Sequence, residues 1–296
     1  MNNSFLIEKI EYTQIFAHKD WDGAIGGGLI LRIFNLPIKF LSQVKEAKNT
    51  IIIEVPLSFD SYLEDCLVID HHDCKKGPLG QAHFGNIVIC DDKYKSVVSL
   101  IADYFELMAP ENIIQALNDI ESGDIDKSPL AEKMFLSYVS SISDFPYDKI
   151  ANLVKMGQWD KILKWVETKS ASKEAKIIKQ IAQTKIKNAE TLIDKVKIIE
   201  YNTEDSFDIG AARLALVQLQ KQTKIGIILG KKGIYAECGI IATKRKKINL
   251  LHLFKELQKA DWKAGGRTIV GGFKIPYRIE ISQAKQILQQ AIKNIL

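Results

Sequence analysis

Short continuous apolar runs set off by polar turns mark the first half of the chain. Gln14–Ala17, Thr50–Val55 (TIIIEV), Cys66–Asp70 (CLVID) and Asn86–Cys90 (NIVIC) have continuous apolar centres rich in Ile and Val, the pattern of strands buried on both faces. Between and after them, Ala24–Phe34, Ser96–Met108 and Pro129–Ile142 have helix length and an apolar face. Strands alternating with helices, with no polar face along the strands, predict a parallel sheet covered on both sides. Glu121–Ser128 (ESGDIDKS) reads as a loop, with Ser128-Pro129 as a helix start.

The second half changes character. Glu167–Lys197 is lysine-rich, lacks Gly and Pro, and places Ile177, Ile178, Ile181, Ile186, Leu192 and Ile193 at helical spacing, which predicts one long amphipathic connector helix. Beyond it, Ala211–Gln220 and Leu250–Leu257 read as helices, Ile225–Leu229 and Ile234–Ile241 as strands, and GGRTIVGGFKI as a glycine-rich turn entering a strand. The expected class is therefore α/β: a parallel-sheet domain over 1–166, a helical connector over 167–200 and a smaller α/β domain over 201–296.

Composition narrows the address. Apolar residues make up 46% and charged residues 26% of 296, an ordinary globular balance. No apolar run approaches the roughly 18 residues that span a bilayer. The start, MNNSFLIEKIEYTQ, lacks a basic segment followed by an apolar one, so the cytoplasm is the expected compartment, with no membrane partner. Cys66, Cys74, Cys90 and Cys238 are scattered without a CxxC pair or a disulfide framework. The formal net charge of +5 is compatible with a polyanionic partner.

The chemistry lies at the strand ends. His18, Asp20 and Asp22 (HxDxD) follow the first strand, Glu54 closes TIIIEV, and Asp70-His71-His72 follows CLVID, while Asp144 follows an apolar run ending SSIS. Strand carboxyl ends share one edge of a parallel sheet, where ligands bind. Each motif alone is as easily a solvated turn, but three of only five histidines fall inside the two motifs, both at strand ends. Imidazoles and carboxylates without sulfur suit Mn²⁺, Mg²⁺ or Co²⁺. Two such ions clamp the attacking and leaving oxygens of a phosphoryl displacement and turn a shared water into a nucleophile.

These residues resemble the DHH phosphoesterase superfamily, with its RecJ-type exonucleases, oligoribonuclease-type enzymes, cyclic-dinucleotide phosphodiesterases and manganese pyrophosphatases. Its HxDxDG motif matches His18–Gly23, its DHH motif Asp70–His72, its strand-end Asp is met by Glu54, and its fourth acid by Asp144. The resemblance implies two Mn²⁺ ions, one held by His18 and Asp20, the other by Asp22 and His71, with Glu54 and Asp144 bridging. It implies that Asp70 orients a ligand histidine and that His72 faces the substrate phosphate or leaving group. The last third resembles the DHH-associated domain through Gly265-Gly266-Arg267, whose glycines let amides approach a phosphate that Arg267 grips. Two departures stand out: Glu54 is one methylene longer than the usual Asp, and Arg267 replaces the commoner His. The glycines of GAIGGG lack a phosphate-loop ending and suit close helix packing instead.

Basic residues gather in the same third, at Lys231-Lys232, Lys244-Arg245-Lys246-Lys247 and Lys263, with Lys244 and Arg245 taken as substrate-binding. Trp262 and Tyr235 are candidates for base stacking or for packing. The expected activity is metal-dependent hydrolysis of single-stranded nucleic acid or short oligonucleotides from an end. Hydrolysis of a cyclic or linear dinucleotide is the alternative, and a non-catalytic nucleic-acid-binding subunit ranks third, because only Glu54 departs from the ligand pattern. A homodimer, or a partner from replication or repair, stays open.

Overall fold

A computed structural model describes residues 10–72, 85–245 and 247–296; Cys74, Lys246 and residues 1–9 of the opening stretch lie outside the described residues. The chain divides into two compact units, one running to Tyr138 and including Asp144–Thr168, the other comprising Val139–Ser143 and Lys169–Leu296.

Unit 1 is built on a five-stranded, all-parallel sheet. Its strands are β1 (Gln14–His18), β2 (Ile38–Leu41), β4 (Thr50–Ile53), β6 (Leu67–Asp70) and β7 (Ile87–Cys90), in the order β2-β1-β4-β6-β7. Every residue of β4 is buried, as its continuous apolar run requires. A separate parallel pair joins β3 (Val44–Lys48) to β5 (Leu57–Glu64). Helix α1 (Trp21–Ile30) is wholly buried. A Cβ on Gly28 would lie 2.5 Å from Val154 Cβ, so the GAIGGG run serves close packing against α5 (Tyr147–Lys155). The Trp21 indole is 2% exposed and donates to the Met134 carbonyl at 2.7 Å. Helices α2 (Val97–Tyr104), α3 (Glu111–Glu121), α4 (Pro129–Val139) and α6 (Trp159–Ser170) make up the rest of the described helical shell.

Unit 2 holds a six-stranded mixed sheet in the order β12-β13-β11-β10-β9-β8. Its strands are β8 (Glu190–Ile193), β9 (Val196–Asn202), β10 (Ile225–Lys232), β11 (Tyr235–Ala242), β12 (Lys263–Gly266) and β13 (Val270–Glu280). Its helices are α7 (Lys173–Lys187), α8 (Ser206–Gln222), α9 (Leu250–Gln258) and α10 (Ile281–Lys293).

The single helix expected over 167–197 is not formed. Helix α6 ends at Ser170, and Ser172 starts α7 by accepting from the Ala175 N–H at 3.2 Å. Residues 190–193 and 196–202 are instead the antiparallel strands β8 and β9, turned by Lys195 in the left-handed region (φ 59°). The β-branched run at Val196–Ile199 wins here, because Val196 and Ile198 pack into the core of unit 2. A turn without Gly or Pro left no mark in the sequence pattern.

Candidate metal centre

The strand order fixes where a site can form. From β1 the chain crosses to β2 on one side and returns to β4 on the other, so the topological switch lies between β1 and β4. In open parallel sheets ligands bind at the carboxyl ends beside that switch. His18 ends β1 and Glu54 follows β4, on either side of it, and Asp70 ends β6, the next strand.

Each side chain is held by a local device. Asp20 is the N-cap of α1: its Oδ1 accepts from the Gly23 N–H at 2.8 Å and its Oδ2 pairs with His18 Nδ1. Gly23 is required there, since a Cβ would sit 2.3 Å from the His18 carbonyl oxygen. Asp22, 1% exposed, is anchored by the first N–H groups of α2, from Val97 at 2.6 Å and Val98 at 3.1 Å. Burial, then the nearby Glu54 and Glu121 carboxylates, push the Asp22 carboxyl well above the usual carboxylate range, against the opposing pull of His71.

The histidines converge on Glu54. His71 Nδ1 faces the Tyr94 carbonyl at 3.1 Å, and a carbonyl only accepts, so Nδ1 carries the hydrogen. In the neutral ring this leaves the lone pair on Nε2, which faces Glu54 Oε1, 3.3 Å away, and Asp22 Oδ2, 3.7 Å away. His72 repeats the arrangement: Asp70 Oδ1 takes Nδ1 at 2.7 Å, and Nε2 lies 3.7 Å from Glu54 Oε1. Asp70 thus orients His72, while a backbone carbonyl orients His71. Lone pairs and buried carboxylates facing one another repel unless positive charge stands between them. The donor set therefore fits divalent cations. One ligand atom each from His18, Asp20 and Glu54 lie within 4.8 Å of one another, and so do atoms of Glu54, His71, His72 and Glu121. Glu54 is common to both groups.

Asp144 joins neither group among the described residues; it is exposed in the turn before α5. Glu121, expected to open a loop, is the last residue of α3 and falls in the group with Glu54, His71 and His72. A signal was present. Acids at a helix C-terminus oppose the macrodipole, yet Asp119, Glu121, Asp124 and Asp126 cluster there.

In unit 2 the other candidates meet at one end of the sheet. The Thr243 N–H donates to the Ile269 carbonyl at 2.8 Å, which ties the segment bearing Lys244 and Arg245 to the β12–β13 hairpin bearing Gly265, Gly266 and Arg267. The Arg267 N–H closes that hairpin on the Val270 carbonyl at 2.7 Å. A Cβ at Gly271 would collide with Phe254 at 2.3 Å, whereas one at Gly265 would meet open space. Trp262 is a core residue, 2% exposed and stacked on Phe273, and Arg278 lies over the Tyr235 ring at 3.8 Å.

No family model matches the sequence, and no curated protein matches it by sequence. Solved structures do match. A pGpG-specific phosphodiesterase, PggH of Vibrio cholerae, superposes with a TM-score of 0.59 at 16% identity, over 96% of this chain and 98% of that one. An exopolyphosphatase-related protein of Bacteroides fragilis gives 0.55 at 13% identity, over 98% and 94%. RecJ of Thermus thermophilus, solved with Mn²⁺, gives 0.60 at 10% identity over 98% of this chain, which spans 54% of RecJ. The chain has the fold of the DHH superfamily. No described helix is long and apolar enough to cross a membrane.

Proposed function

We propose that the protein is a metal-dependent phosphodiester hydrolase of the DHH type, acting on single-stranded nucleic acid or short oligonucleotides. The observation that carries this reading is the convergence of two imidazole Nε2 atoms on Glu54, with the buried Asp22 carboxylate 3.7 Å from one of them and a second donor group sharing Glu54. His18, Asp20 and Glu54 would hold one ion, and Glu54, His71, Glu121 and the nearby Asp22 the other. Two Mn²⁺ ions, with Mg²⁺ or Co²⁺ as substitutes, would supply charge to the phosphoryl oxygens and a nucleophile at neutral pH.

The chain's own residues do the positioning. Asp20 fixes the His18 ring, the Tyr94 carbonyl fixes His71, and the two amides of α2 fix Asp22. Asp70 holds the proton on His72 Nδ1, leaving Nε2 to act toward the phosphate or the leaving oxygen. Gly265, Gly266, Arg267, Lys244 and Arg245 would take a substrate phosphate through open backbone and cationic side chains.

A dinucleotide phosphodiesterase is the second reading. It is favoured by the likeness to PggH, which superposes with a TM-score of 0.59 over 98% of that chain. The test is a panel of end-labelled single-stranded DNA, single-stranded RNA, a linear dinucleotide and a cyclic dinucleotide, with Mn²⁺ or with chelator, beside a His71→Ala protein. Mn²⁺-dependent cleavage lost in the variant supports the hydrolase, and the preferred substrate separates the two readings. No cleavage of any substrate would refute both and favour a binding subunit.

A further inference from the structure

We infer that the end of the sheet in unit 2 carries a phosphate-binding concavity that holds the backbone of a single-stranded nucleic acid, so that the substrate is a polymer. This rests on the phosphodiester reading of the metal centre and extends it.

The concavity measures about 950 Å³ and is lined by Lys195, Lys224, Arg245, Lys247 and Lys255. These cations come from separate segments that hydrogen bonds fasten together. The Lys195 carbonyl accepts from the Lys224 N–H at 2.6 Å, and the Lys224 carbonyl accepts from Thr243 Oγ1 at 2.6 Å. Thr243 Oγ1 in turn accepts from the Arg245 N–H at 3.0 Å, and Thr243 itself is 1% exposed. Three positive charges are thus mounted on one rigid rim. Lys195 reaches it from the left-handed region, at a cost of about 1 kcal/mol that glycine would avoid.

Among the described residues none of the five cations enters an ion pair. Elsewhere in unit 2 lysines are paired, as Lys185 with Asp208 at 2.7 Å and Lys231 with Glu200 at 2.7 Å. The one acidic side chain in the lining, Glu256, is occupied by Lys259 at 2.5 Å and by Asn294 at 2.9 Å. Unpaired like charges round a concavity repel one another, and an anion relieves the repulsion.

The lining also says what kind of anion. Pockets for small organic ligands are mostly apolar; this one is mostly cationic and polar. Its one aromatic ring is the His252 imidazole, and no Phe, Tyr or Trp side chain lines it. Charges spread round its edge match successive phosphates better than a single one. The same end of the sheet carries the Arg267 hairpin through the Thr243–Ile269 bond, which extends the basic track.

The test measures binding of a single-stranded oligonucleotide of about 12 residues and of a dinucleotide to the full chain, in chelator, by fluorescence anisotropy over a salt series. Wild type should bind the longer strand on the order of tenfold or more tightly than the dinucleotide. In the Lys224→Glu/Lys255→Glu protein that affinity should drop on the order of tenfold, and the Lys224→Gln/Lys255→Gln protein should lower the salt slope by about 1.4, two cations at roughly 0.7 each. A Lys176→Glu/Lys187→Glu control, with the same charge change on α7, should lose far less. Equal losses in the control, or equal affinities for the two lengths, would overturn the proposal. A wild type that cleaves dinucleotide with Mn²⁺ but fails this test refutes the concavity alone. One that passes it but cleaves nothing refutes the hydrolase alone.

Discussion

Glu54 sits in the left-handed region at φ 56°, a conformation in which a long side chain is strained by about 1 kcal/mol or more and which Asp tolerates better. The resemblance leads one to expect Asp there. The extra methylene carries the carboxylate to within 3.3 Å of His71 and 3.7 Å of His72. Without a cation this is an unfavourable cluster. A Gln at this position would remove one buried charge and offer an N–H to the histidine lone pairs. Glu54→Gln should therefore raise the melting temperature in chelator by a few degrees, about 1 kcal/mol, and shrink the stabilisation that Mn²⁺ gives wild type. A lower melting temperature in chelator with an undiminished Mn²⁺ shift would contradict this. For the fourth acid, Glu121→Gln should weaken Mn²⁺ binding more than Asp144→Asn, by about tenfold or more, as read by titration calorimetry. The reverse order would restore Asp144.

At the scale of elements, the β1–α1 junction joins fold and site most tightly. Gly23→Ala should destabilise the protein by about 1–3 kcal/mol in urea titration and loosen His18 together with it, because the only space for a Cβ is the His18 backbone. In unit 2, Lys231 and Lys285 each reach Glu200 at 2.7 Å. Burial alone would raise the Glu200 carboxyl, but hydrogen bonds from Lys231 and then Lys285 outweigh it and leave it below the usual range. A carboxyl lowered in the fold stabilises above its unfolded value and loses that contribution as pH falls through the folded one. Glu200→Gln should thus flatten the acid limb of the stability curve and leave the alkaline limb alone, in melts from neutral to acid pH. The elements legible in the sequence were those with a single dominant pattern: the buried strands β1, β4, β6 and β7, which place the candidate ligands at their ends. Hidden were elements whose pattern was mixed. Strands β8 and β9 lay inside a lysine-rich helical period until tertiary burial of Val196 and Ile198 decided their state. The acidic run over 119–126 marks Glu121 as unusual, but its partners follow β4 and β6, so the grouping itself appears only through contacts between residues distant in sequence.

For the whole molecule, the parallel sheet, the switch point and the histidine lone pairs agree on one centre, and Glu54 is the residue its two donor groups share. The most direct test is calorimetric titration of Mn²⁺ into the chelator-stripped chain and its Glu54→Gln variant. The account predicts two Mn²⁺ ions per wild-type chain, with both affinities falling by about tenfold or more in the variant. Binding of two ions unchanged by Glu54→Gln, or no binding by wild type at millimolar Mn²⁺, would contradict it.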